Sequence, residues 1–161
     1  MSQSGKTWQR TMCRRIAACG LATVLTACAI AEPLPTLPVE AQLLAQQWQA
    51  MRARPGHFAG GEWDDQVDKW QGAKHQLMQQ LFDLAWGDRY DVAQLRALLG
   101  APDRVWTPAA DEYANWLRMT EWHGQPAGEL WAYAWRGQHD QLLFAVESGQ
   151  VRAAGWLLMY E

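Results

Sequence analysis

Few side chains in this 161-residue chain stand where they could do chemistry together. His139-Asp140, in the turn "WRGQHDQ", is a pair able to shuttle a proton. A shuttle must serve a nucleophile, and Ser148, the only serine after residue 28, lies in a hairpin turn. Turn residues of this type usually hold the turn by side-chain hydrogen bonds. His57, His75, His123 and His139 are scattered, none at ligand spacing from another, so no metal and no cofactor is expected. These residues do not support catalysis.

Lys74 poses a sharper question. On a helical wheel it falls inside an apolar arc formed by Val67, Trp70, Ala73, Leu77, Leu81 and Leu84, and His75 flanks that arc. A lysine there must snorkel, pair with a carboxylate, or shift its pKa. One reading is a ligand or partner contact in a groove between helix and sheet. The preferred reading is an ion pair with an acid such as Glu147 or Asp140.

Tryptophan is the strongest compositional signal, with 11 in the chain and ten of them after Cys28. It buries a large face and keeps one N–H donor, which suits cores, interfaces and sugar stacking. Strand alternation places most of the ten in the core. Trp63, beside Gly60 and Gly61, is expected to be the most exposed, followed by Trp106 and Trp122 near strand ends. This rim either covers the core or forms a contact surface. Trp63, Lys74, His75, Trp106, Trp122 and His139 are the candidate contact residues.

Near the N-terminus a thiol closes a short apolar run. Lys6, Arg10, Arg14 and Arg15 make a basic start, residues 16–27 are apolar or small, and the first acidic residue is Glu32. Those 12 residues fall short of the roughly 20 that a membrane-spanning helix needs. A basic start, a short apolar run and small residues before a cut describe a secretory signal peptide. Leu25-Thr26-Ala27-Cys28 resembles the lipobox of bacterial lipoproteins, cut between Ala27 and Cys28. A thiolate is the nucleophile that accepts a diacylglyceryl group, so Cys28 becomes an acylated N-terminus and the membrane anchor. Ala29 after the thiol, where Asp would favour retention, is similar to the pattern that sorts lipoproteins of enteric bacteria to the outer membrane.

The expected organisation is a signal peptide over 1–27, an acylated N-terminus and proline-rich tether over 28–38, and a single domain over 39–161. Pro33, Pro35 and Pro38 favour extended chain, so the tether reaches roughly 30 Å at about 3.1 Å per residue. Cleavage removes four of the 14 basic residues, leaving ten against 17 acidic ones and a net charge near −7. Cys13 and Cys19 also go, which leaves no cysteine pair for a disulfide. An acidic domain argues against nucleic acid and against electrostatic membrane binding beyond the lipid. The expected location is the cell envelope, lipid-anchored at the periplasmic face of the outer membrane.

The elements that would carry these residues begin with a helix over 39–53, with Leu44, Trp48 and Met51 on one face. "RPGHFAGGEW" breaks it, and a second helix is expected from Asp65 to Ala85. "DVAQLRALLG" is a third, with Asp91 as cap, Gln94 completing a capping box and Gly100 ending it before Pro102. "RVWTP", "NWLRMTEWH", "ELWAYAWR", "QLLFAVE" and "VRAAGWLLMY" then read as strands separated by turns. The fold class is α+β, with two or three N-terminal helices packed on one face of an antiparallel β-meander of four or five strands.

From Tyr90 onward the order of features resembles the small outer-membrane lipoproteins of the SmpA/OmlA (BamE-like) family. Val92, Leu95, Leu99, Gly100 and Pro102 match its short helix and leucine-glycine-x-proline turn. Trp131-Ala132-Tyr133 and "LLFAVESGQV" match its strand and hairpin patterns, and the resemblance spans roughly residues 88–159. It implies a small non-catalytic lipoprotein helping outer-membrane β-barrel assembly or envelope integrity, with an envelope protein as partner. Residues 39–86, two helices and a glycine-rich loop, lie outside the family's minimal domain. The alternatives are an immunity or inhibitor lipoprotein against a periplasmic toxin or hydrolase, and a tryptophan-rich binder of glycan or lipid.

Overall fold

The chain enters its first helix, α1 (Val39–Arg52), directly after Pro38, whose carbonyl accepts the Gln42 N–H at 2.9 Å. This computed structural model describes residues 35–159; Ala27, Cys28, the signal segment and the start of the tether lie outside the described residues. Trp48 is the buried anchor of α1, and Leu44 and Met51 pack beside it as the spacing predicts. Its indole N–H donates to the Leu99 carbonyl at 2.9 Å, and Arg52 Nη1 donates to the same oxygen at 3.0 Å. That carbonyl ends α3 (Val92–Leu99) and lacks an intrahelical partner, so α1 satisfies the orphan acceptor of its neighbour.

The second helix, α2 (Ala73–Gly87), starts eight residues later than the apolar periodicity predicts. Residues 65–72 form turns because Asp68, placed by periodicity on a helix, instead turns its carboxylate inward. It accepts the backbone N–H groups of His57 at 3.0 Å and Asp64 at 2.8 Å. Gln71 takes a φ of 60°, and a Cβ on Gly72 would stand 2.5 Å from the Asp65 carbonyl, so the chain doubles back before α2 begins. Helix α3 follows the sequence closely. Asp91 accepts from the Gln94 N–H at 2.8 Å, the Gln94 side chain accepts from the Asp91 N–H at 3.0 Å, and Gly100 stops the helix at φ 78°.

Five antiparallel strands follow: β1 (Arg104–Trp106), β2 (Thr120–Gly124), β3 (Glu129–Arg136), β4 (Asp140–Glu147) and β5 (Gln150–Leu157). Their order in the sheet is β1-β3-β4-β5-β2. The three long strands form the meander, and the two short ones take opposite edges. Between β1 and β2 lies a short fourth helix, α4 (Tyr113–Met119), where "NWLRMTEWH" reads as one strand in the sequence. The segment divides at Thr120, whose hydroxyl donates to the Trp116 carbonyl at 2.7 Å. The α+β class stands as expected, with α1, α2 and α3 ahead of the sheet and α4 between its first two strands.

Helix α4 gives the sheet a cover on its second face. On one face Trp131, Tyr133, Trp135, Leu142 and Phe144 meet α1, α2 and α3. On the other Leu130, Ala132, Leu143, Ala145 and Leu157 meet Trp106, Tyr113, Trp116 and Leu117. With both faces dry, β4 is buried along all but its last residue, which explains its nearly continuous apolar run. No helix among the described residues is long and apolar enough to cross a membrane.

These roles separate by magnitude. Leu143→Ala, which empties a fully buried site on the central strand, should cost about 2–5 kcal/mol in urea unfolding. Asp91→Ala, which removes only the α3 cap, should cost about 1 kcal/mol.

Candidate functional site

Because α2 begins at Ala73, Lys74 falls in its first turn, against the end of α1 and the loop that follows it. Its backbone N–H donates to the Gln66 carbonyl at 2.8 Å, and its side chain is 5% exposed. It lines a cavity of about 270 Å³ together with Arg52, Arg54, Gly56, Asp68 and Trp135.

The charges around this cavity are almost all matched. Arg52 pairs with Asp103 at 2.5 Å, Arg54 pairs with Asp64 and Gln66, and Asp68 is held by backbone N–H groups. Gly56 makes that last arrangement possible, since any Cβ there would overlap the Asp68 carboxylate. Lys74 is the exception: no described residue offers it a side-chain hydrogen bond or an ion pair within 4.0 Å.

The ion pair expected with Glu147 or Asp140 is therefore not formed. Glu147 faces Arg152 across the β4–β5 turn at 3.9 Å, and Asp140 is held by Arg136 at 2.5 Å. The later start of α2 sets Lys74 near Asp68 and Asp103 instead, residues from two separate loops. Burial pushes the Lys74 ammonium below its ordinary pKa. Asp103 and Asp68 oppose that shift, and Arg52 adds to it.

His75 occupies an aromatic cage. Its ring centroid lies 4.4 Å from Trp70, 4.5 Å from Trp135 and 5.2 Å from Trp156, the last nearly parallel. Burial first, and the Arg136 charge second, lower its pKa, with Asp140 opposing. This is a packing histidine whose surroundings disfavour its charged form. His139 is half-buried, with Nδ1 3.6 Å from Asp140 and its ring 5.1 Å from Phe58. Asp140 itself is committed to Arg136 and to the Met159 N–H, which it accepts at 2.9 Å. The pair closes the β3–β4 turn and braces the chain after β5.

The aromatic rim differs from the expected one. Trp63 is indeed 53% exposed, its indole donating to Asp65 at 2.7 Å. Trp106 is buried, because β1 lays it under α4 with its ring 5.4 Å from Trp116. Trp122 is half-buried and donates to the Leu117 carbonyl at 2.9 Å. Trp70, placed by periodicity on the core side of a helix, stands 53% exposed because its segment is a turn. Among the described residues the exposed pair is therefore Trp63 and Trp70, both on the connection between α1 and α2.

Arg52, Arg54, Asp68 and the cavity they enclose escape sequence reading. The only signal was the lysine at an apolar position. Among the described residues no three His, Cys, Asp or Glu side chains gather closely enough to hold a metal ion. No family model, curated protein or solved structure matches the chain.

The cage around His75 sets a pH dependence. Its folded pKa lies below the unfolded value of about 6.5, so below that pH the unfolded chain binds a proton that the folded one resists. The stability contributed is complete above pH 6.5 and is lost as the pH falls through the folded pKa. Thermal melts from pH 7.5 to 5 should show a falling Tm, with a shallower fall in His75→Phe; equal slopes would contradict this account.

Proposed function

We propose that this chain is an exported lipoprotein, acylated at Cys28, whose folded domain binds an envelope protein without catalysing a reaction. Its place is the periplasmic face of the outer membrane, with a role in β-barrel assembly or envelope integrity. The observation that carries the reading is the Leu25-Thr26-Ala27-Cys28 box, behind a basic start and an apolar run too short to span a membrane. The SmpA/OmlA-like order of features after Tyr90 supports the same class.

The binding surface in this reading is the connection between α1 and α2. Both faces of the sheet are covered by helices or loops, whereas Trp63 and Trp70 present more than half of their surface to solvent. Tryptophan is enriched among the residues that dominate interface energies, because it brings a large apolar face and one donor at little entropic cost.

A second reading, a glycan binder, is favoured by one specific feature. Gln71, Gln76, Gln79 and Gln80 line a shallow hollow with His75, beside the exposed Trp70 ring. Amide groups next to an aromatic platform suit a sugar's hydroxyls and apolar face. Quenching of tryptophan fluorescence by cell-wall fragments, lost in Trp70→Ala, would favour this reading over the first.

For the first reading, Cys28→Ser should abolish incorporation of labelled palmitate and release the protein from the membrane fraction. Retained label would refute the anchor. Trp63→Ala should weaken binding to a barrel-assembly component at least tenfold, the scale of an interface hot spot, while leaving Tm unchanged. Recovery of a single secreted hydrolase instead would make the protein an inhibitor.

A further inference from the structure

Three effects disfavour an ammonium at Lys74, and the charges of Asp103 and Asp68 oppose them only from beyond 4.0 Å. The lysine is 5% exposed, it lies in the first turn of α2 where the helix dipole is positive, and the Arg52 guanidinium repels it. A methionine would fill the same volume with none of these costs. The guanidiniums on the cavity wall are already engaged with Asp103 and Asp64, and the Asp68 carboxylate accepts the backbone N–H groups of His57 and Asp64. Lys74 thus lines a half-open cavity of about 270 Å³ and carries three N–H donors without a described side-chain partner.

From this we infer that the cavity binds a small carboxylate, its oxygens on the Lys74 ammonium and its apolar end against Trp135, Ala53 and Ala59. The charge count favours a carboxylate over a phosphate. Lys74 is the one cation on the wall without a contact partner, and the Asp68 carboxylate beside it disfavours a doubly charged ligand. Beside the charged side chains and Trp135 the wall is completed by small residues, Gly56, Ala134 and Gly137 among them, so it suits a compact side chain such as alanine's. The carboxylate belongs either to a free small acid or to the C-terminus of a peptide. The inference depends on neither acylation at Cys28 nor the exposed tryptophans, so it stands or falls separately from the proposed envelope role.

The test is an NMR titration of the full-length ¹⁵N-labelled protein with N-acetyl-alanine, its primary amide, inorganic phosphate and tetra-alanine. N-acetyl-alanine should give saturable shifts at the Trp135 indole N–H and at the Gly56 and Gly137 amides. The primary amide, which lacks the charge, should not. Lys74→Met should weaken the response at least tenfold while melting no lower than the natural protein. Lys74→Gln supplies the same comparison if the methionine variant folds poorly. A stronger response to tetra-alanine assigns the site to a peptide terminus, and a weaker one to a free acid; both support a carboxylate site. Equal shifts from acid and amide, an unaltered titration in both Lys74 variants, tighter binding of phosphate, or no response to any probe would overturn it.

Discussion

The connection between α1 and α2 depends on one buried carboxylate. Asp68 is fully buried, and an ionised carboxylate moved out of water without compensation costs several kcal/mol. It is tolerated here because two backbone N–H groups, from His57 and Asp64, donate to it from opposite ends of the same loop. The adjacent Val67 carbonyl accepts the Trp135 indole N–H at 2.8 Å, which ties the loop to β3. A local sequence that could have continued as helix is held as a folded loop, because the carboxylate's desolvation is offset only in that geometry.

The features with functional promise follow from this arrangement. Ending the loop at Gly72 leaves Lys74 in the first turn of α2, facing the end of α1. Keeping residues 65–72 out of the helix turns Trp70 to solvent and places Trp63 on the same connection. The sheet beneath is closed on both faces and acts as scaffold. His75 joins the parts, its ring packed between the exposed Trp70 and the buried Trp135. A perturbation of the loop therefore reaches the core through this ring and through the Trp135 indole bonded to the Val67 carbonyl.

What the sequence made legible is local chemistry. The Asp91-Gln94 capping box and the Gly100 stop are short-range signals, and α3 lies where they put it. The alternation in "LWAYAWR" correctly sends Trp131, Tyr133 and Trp135 to one face. Residues 65–72 were misread because apolar periodicity is blind to a carboxylate that finds its donors four and eleven residues earlier in the chain. Helix α4 was misread because Trp116 and Leu117 suit a strand as well as a short helix, and only the uncovered sheet face decides. Lys74 stood out in the sequence as an anomaly. Its surroundings did not, since Arg52, Asp68 and Asp103 come from separate elements that only the tertiary fold brings together.

The measurement that bears most directly on this account is recovery of the envelope partner by Asp68→Asn, compared with the natural protein, from cells crosslinked before lysis. Asparagine keeps the volume but removes the charge that gathers the His57 and Asp64 N–H groups. The account predicts that the variant stays acylated and keeps a cooperatively folded sheet but loses the partner, because the loop carrying Trp63 and Trp70 is no longer fixed. Undiminished recovery of the same partner would contradict it and place the binding surface elsewhere on the domain.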